Sequence, residues 1–232
     1  RVVLVTLPCP ALAVRATLAA GERFGLSKSS TPILSEARAA ALLAALNLSI
    51  RGRISFEAEM PPGGGAGVST AALVALARLA GWQGDGLDLA RACIAVEGAS
   101  DPLMLPLPSQ ILWASRRGEI LDTLPPPPAM EVIGGFYGPP RRTDPADEDF
   151  PDIADLIPQW HLATQACDLR QVASLASISA ARTQAHRGAQ SDPTASLAAD
   201  LGALGHVIAH TGSARGLIFA PGSVPAGAKA AL

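Results

Sequence analysis

"MPPGGGAGVSTAALVALARLAG", residues 60–81, runs from two prolines through four glycines into an apolar helical stretch closed by Gly81. Gly63, Gly64, Gly65 and Gly67 remove side chains where the backbone must come close to another group. Ser69 and Thr70 follow at the start of the helix, where their hydroxyls are expected to cap it. The first amides of a helix lack internal partners, and the macrodipole adds partial positive charge there. Glycine loop and helix start together describe an anion site, phosphate above all. No GK[ST] tripeptide follows, so this is not a Walker A loop. Nor does the glycine spacing fit the dinucleotide fingerprint. On the loop alone, a glycine-rich turn joining a strand to a buried helix is an equal alternative.

Working outward, "GRISFEAEM" (52–60) alternates Ile54, Phe56 and Ala58 inward with Ser55, Glu57 and Glu59 outward, a half-buried strand. The helix after the loop is expected over about 68–80. Upstream, "SEARAAALLAALNL" (35–48) is a helix with Ser35 as N-cap and Glu36 in the first turn. "RVVLVTLP" and "ALAVRATLA" read as strands bounded by proline. Downstream, a helix over about 87–97 carries Leu89, Cys93 and Val96 on one stripe. Pro102, Pro106 and Pro108 forbid continuing it.

From residue 110 the texture changes. "ILWASRRGEILDTL" predicts two strands meeting at Arg117-Gly118, "PPPP" (125–128) a stiff connector and "MEVIGGFYG" a further strand. An acidic, proline-bearing segment leads into helices from about 152 to 187 and from 194 to 204. "HVIAHTGSARGLIFA" predicts strand, polar turn, strand. The order β, α, β with a break near 110–128 describes an α+β chain of two domains, without internal repeats.

Bulk composition narrows the function. Apolar residues make up 49% of the chain, ample for a core. The formal net charge of −2 argues against a nucleic-acid footprint or a polybasic membrane anchor. Lys28 and Lys229 are the only lysines. Cys9, Cys93 and Cys167 are odd in number and widely spaced, without the pairing of a disulfide framework or zinc site, which suits a reduced, cytoplasmic setting. The apolar runs fall short of a spanning helix, and no signal-peptide pattern precedes them. The chain opens on Arg1 rather than Met, so residues upstream of it are expected.

Three stretches carry a family likeness. "PPGGGAGVSTAA" (61–72) resembles the PPxGxGLGSSAA phosphate loop of the GHMP kinases, the superfamily of galactokinase, homoserine kinase, mevalonate kinase and phosphomevalonate kinase. "CIAVEGASDPLMLP" (93–106) resembles the segment that supplies a metal-binding Glu and a nearby Asp. "IAHTGSARGLIFA" (208–220) resembles the late glycine-containing loop that closes on the phosphates. The order and spacing of the three match the superfamily. Within it, "AVEGASD", "AHTGSARGL" and, faintly, "LPCPALAV" are most similar to the L-threonine kinases of cobalamin biosynthesis and propanediol utilisation.

The resemblance implies a ribosomal-protein-like N-terminal ATP-binding domain over 1–112 and a ferredoxin-like C-terminal domain over 113–232. It implies ATP and Mg²⁺ as cofactors, and a small-molecule acceptor, an amino acid such as L-threonine, converted to O-phospho-L-threonine. Neither nucleic acid nor membrane is an expected partner, and a homodimer stays open. Pro62, Gly63, Gly64, Gly65, Ala66, Gly67, Val68, Ser69 and Thr70 would form the phosphate loop, joined by Gly212 and Ser213 of the late loop beside Thr211. Ser69 and Glu97 would hold the metal. Asp101 would either take the acceptor's proton or ligate the metal. Arg215 could meet a phosphate or the carboxylate of an amino-acid substrate, with a plain polar hairpin turn as the competing explanation. His161, His186, His206 and His210 are read as packing or surface residues.

Three departures accompany the likeness. Val68 replaces the first serine of the family's pair, "EGASD" has one residue more between Glu and Asp, and the family's first motif is not visible. They keep two rivals open: a GHMP kinase for homoserine, an isoprenoid alcohol or a sugar, and a catalytically inactive GHMP-fold binding protein.

Overall fold

The computed structural model describes residues 2–7, 9–29, 31–141, 144–188 and 191–231. The chain forms two compact units: Arg1–Thr123 with Arg142–Glu148, and Leu124–Arg141 with Asp149–Leu232.

In the first unit, strands β1 (Val3–Leu4), β2 (Val14–Ala19) and β3 (Phe24–Leu26) are followed by helix α1 (Glu36–Ala45), strand β4 (Gly52–Ala58) and helices α2 (Val68–Leu79) and α3 (Gly86–Glu97). Strands β5 (Ile111–Ala114) and β6 (Glu119–Thr123) close it. One sheet has the order β2-β4-β3, antiparallel between β2 and β4 and parallel between β3 and β4. Ile54 of β4 is fully buried with Leu42 of α1 and Leu73 and Leu76 of α2. The inward side chains read from the alternation in β4 thus anchor the α2 helix that the glycine loop feeds.

Ser35 caps α1 as expected, its Oγ accepting from Arg38 N–H at 3.3 Å. Strand β3, unannounced by so short an apolar run, is held at Leu26 by Glu36 Oε1, which accepts its N–H, and by Arg53, which donates to its carbonyl. Among the described residues, the opening run is strand over Val3–Leu4, where it pairs with Ala114 and Trp113 of β5.

That pairing moves the expected domain division. A boundary after residue 112 cuts β5, whereas β5 and β6 form one antiparallel sheet with β1 in the order β1-β5-β6, and the units part between Thr123 and Leu124. The turn between β5 and β6 does fall at Arg117-Gly118, with Gly118 at φ +66°.

In the second unit, β7 (Glu131–Phe136) precedes α4 (Leu156–Gln165), α5 (Leu169–Arg187) and α6 (Thr194–Asp200). Then come β8 (Gly205–Ile208), β9 (Ala214–Phe219) and α7 (Ala228–Ala231). The sheet is antiparallel throughout, in the order β7-β9-β8. Among the described residues it has three strands, where a ferredoxin-like β-α-β-β-α-β unit has four. Leu217, Ile218 and Phe219 of β9 are buried. No helix among the described residues is long and apolar enough to cross a membrane.

Candidate phosphate and cation site

Gly63, Gly65 and Gly67 have φ of +78°, +81° and +74°, alternating with Gly64 and Ala66 at negative φ. Such alternation turns successive N–H groups into a concavity that receives anions. The Gly64 N–H closes a turn onto the Pro61 carbonyl at 3.0 Å. Gly67 is the N-cap of α2, and no side chain caps the helix. The expectation that Ser69 and Thr70 would do so is corrected. Gly67 in the left-handed conformation brings the chain into α2 without a capping side chain, and both hydroxyls are directed elsewhere.

Ser69 Oγ donates to Glu97 Oε1, and Thr70 Oγ1 accepts the Asp101 N–H at 3.3 Å. Val68, at the position of the family's first serine, is buried at 4% exposure, where a methyl pair fits better than a hydroxyl.

Glu97 is the last residue of α3, and its side chain retains only 9% of its exposure. Arg38 Nη1 of α1 reaches the same Oε1 at 3.4 Å. Gly98, at φ +77°, ends the helix in the left-handed conformation, and a Cβ there would collide with Pro145. The next residues are pinned: Ser100 N–H donates to the Ser115 carbonyl at 2.9 Å, and the Ser100 carbonyl accepts from Trp113 Nε1 at 2.7 Å. Asp101 is thereby aimed at the glycine loop, its Oδ2 3.0 Å from where a Cβ of Gly67 would stand. The extra residue in "EGASD" leaves the carboxylate facing the loop.

Burial and the charge of Glu97 push the Asp101 carboxyl up to about 6. The same two causes push the Cys93 thiol, one turn before Glu97, up to about 12. Two enclosed carboxylates and a serine hydroxyl thus meet beside an anion-receiving loop. This donor set fits a hard divalent cation such as Mg²⁺, which takes one or two carboxylates and completes its shell with phosphate oxygens and water. Among the described residues no three His, Cys, Asp or Glu side chains converge on one point.

The late loop lies in the second unit. Gly212 has φ +96°, and Ser213 is buried, its carbonyl accepting from Tyr137 N–H at 2.7 Å. Arg215 is not turned outward. Its Nε donates to Asp192 Oδ2 at 2.7 Å, and its Nη1 to the carbonyls of Ala214 and Gly212. The histidines take up packing and ion-pair positions. His210 meets the Phe150 ring edge-on at 6.0 Å, with burial and then Arg187 lowering its pKa. His186 pairs with Asp149 at 3.0 Å, His206 is lowered by burial, and His161 is half-buried.

Arg38 and Asp192 were not singled out by sequence. Arg38 gives no signal, because only the fold brings it to a glutamate 59 positions away. Asp192 does: "SDPT" is a helix-start signature, and its carboxylate accepts the Thr194 N–H at 3.0 Å.

The fold is similar to that of solved kinases. A mevalonate kinase from L. major, solved with R-mevalonate, superposes with a TM-score of 0.63 at 13% identity, covering 95% of this chain and 80% of its own. A homoserine kinase from Cytophaga hutchinsonii gives 0.59 at 18% identity, over 90% and 76% of the two chains. A putative homoserine kinase from Listeria monocytogenes gives 0.56 at 17%, over 90% and 76%. The likeness to these homoserine and mevalonate kinases is one of fold. No family model and no curated protein matches the sequence itself.

Proposed function

We propose that the protein is an ATP- and Mg²⁺-dependent kinase that phosphorylates the hydroxyl of a small molecule, an amino acid in particular, with L-threonine foremost. The observation that carries this is the meeting of Ser69, Glu97 and Asp101 at a loop of three alternating left-handed glycines. Phosphoryl transfer asks a protein mainly for positioning and charge neutralisation, and the loop from Pro62 to Thr70 supplies both through its amides. Ser69 Oγ and Glu97 would hold Mg²⁺, which when bound neutralises charge on the phosphates. Arg38 keeps the Glu97 carboxylate in place. Asp101, whose raised pKa still lies below neutrality, would take the proton of the acceptor hydroxyl as that oxygen bonds to the γ-phosphorus of ATP and the phosphorus–oxygen bond to ADP breaks.

The amino-acid acceptor rests on the likeness of "AVEGASD" and "AHTGSARGL" to threonine kinases and on the homoserine kinases among the structural relatives. The product would be O-phospho-L-threonine, a precursor for the aminopropanol arm of cobalamin. ADP release with Mg²⁺-ATP, screened over L-threonine, L-serine, L-homoserine and mevalonate, tests the assignment. Turnover with L-threonine alone supports it in full, and turnover with another alcohol keeps the kinase and moves the acceptor. ATP binding without turnover on any of them establishes the inactive binding protein instead.

A further inference from the structure

Two donors share one oxygen of Glu97: Ser69 Oγ and Arg38 Nη1 both reach Oε1. The partners of the ion pair differ in enclosure, the Arg38 side chain retaining 41% of its exposure and the Glu97 side chain 9%. Among the described residues the guanidinium makes no other hydrogen bond, and the one it makes is long, at 3.4 Å. Arg38 stands in the first turn of α1, where the helix dipole does not favour a cation.

The asymmetry decides which partner can leave. An exposed guanidinium is screened by water and salt, so giving up the contact costs it little. A carboxylate held away from water and left without a cation is strongly unfavourable. Asp101 stands close enough to feel the charge of Glu97, which adds a second acid to the same enclosure.

We propose that Arg38 is the resident counter-ion of Glu97, a positioning residue that holds the carboxylate while no divalent cation is bound and gives it up when one arrives. This rests on the kinase reading above, in which Ser69 and Glu97 take the metal. A cation drawing on Ser69 Oγ and Glu97 competes with both present donors of Oε1. Arg38 thus sets a threshold for the metal, and removing its charge eases cation entry. A residue that merely propped the carboxylate would act in the opposite sense, because its loss would weaken metal binding.

The test uses Mn²⁺, which takes the same oxygen ligands as Mg²⁺ and is counted by its paramagnetic resonance. It is titrated without nucleotide into the wild type, Arg38→Gln, Arg38→Lys, Glu97→Gln and the double variant Arg38→Gln/Glu97→Gln. Arg38→Gln is expected to bind Mn²⁺ about three- to fivefold more tightly than the wild type, with Arg38→Lys within about twofold of it. The double variant should bind no more tightly than Glu97→Gln. In thermal melts with chelator, Arg38→Gln should unfold below the wild type, and added Mn²⁺ should narrow the gap. Mn²⁺ binding by Arg38→Gln that is equal or weaker overturns the inference, as does a melting gap that Mn²⁺ leaves unchanged. Should Arg38→Gln fail to fold, Arg38→Met, which keeps the apolar stem, carries the same comparisons. A separate titration of Mn²⁺ with ATP judges the kinase reading. Wild-type binding that Glu97→Gln weakens keeps that reading even if Arg38→Gln shows no gain, whereas no such binding removes both.

Discussion

Two loops rich in glycine and hydroxyl residues, at 63–70 and 211–213, look alike as sequence and differ as chemistry. The early loop carries three left-handed glycines and faces two enclosed carboxylates, where burial and then the charge of Glu97 raise Asp101 to about 6. The late loop has one left-handed glycine, and the cation beside it is matched by Asp192 within its own unit. The carboxylates of the first suit a phosphate-bound cation, although Arg38 already reaches Glu97. In the second, the charged side chains pair with each other.

The largest effects are expected at the early loop's carboxylates. Glu97→Gln and Asp101→Asn should each lower kcat by about 10²–10⁴, read as ADP release at saturating Mg²⁺-ATP and acceptor. Equal activity of the wild type and both variants would place the chemistry elsewhere. Next comes Gly67→Ala, which forces a Cβ into a left-handed position 3.0 Å from Asp101 Oδ2. A loss of about 1–2 kcal/mol on chemical denaturation, with weakened ATP binding, is the expected outcome.

Asp101 also sets a pH dependence. Its pKa is raised in the fold, so its stabilising contribution is complete below the ordinary carboxylate value and is lost as pH rises through about 6. With divalent cations chelated, Asp101→Asn should therefore be more stable than the wild type near neutrality, by about 1–2 kcal/mol once its partial exposure is allowed for. The two should converge at about pH 4. A gap that widened on acidification would reverse the sign assigned here. The smallest effect belongs to the second unit's sheet. A Cβ at Gly135 of β7 meets nothing within 4 Å, so Gly135→Ala should shift thermal stability by less than about 0.5 kcal/mol. By contrast, a Cβ on the neighbouring Gly134 would run into the Arg215 backbone.

Much of the early site was legible because its signals are local. The glycine spacing, the helix ending at Glu97 and the prolines after Asp101 each constrain a few adjacent residues. The role of Thr70 as a partner of the Asp101 amide, and of Arg38 as a neighbour of Glu97, depends on tertiary approach that no periodicity encodes. The same holds in the late loop: Arg215 has the composition of a ligand, and only the fold reveals the Asp192 paired with it. The two units part at Thr123 and Leu124, inside the expected break near 110–128, and what periodicity could not show is the pairing of Val3 with Ala114, more than a hundred positions apart, which puts β5 in the first unit.

The most direct test of the central claim is calorimetric titration of ATP, with Mg²⁺ and with chelator, into the wild type, Ser69→Ala and Glu97→Gln. The account predicts Mg²⁺-dependent binding to the wild type, with that dependence weakened or lost in both variants. ATP binding that ignores Mg²⁺ and is the same in all three proteins would contradict it.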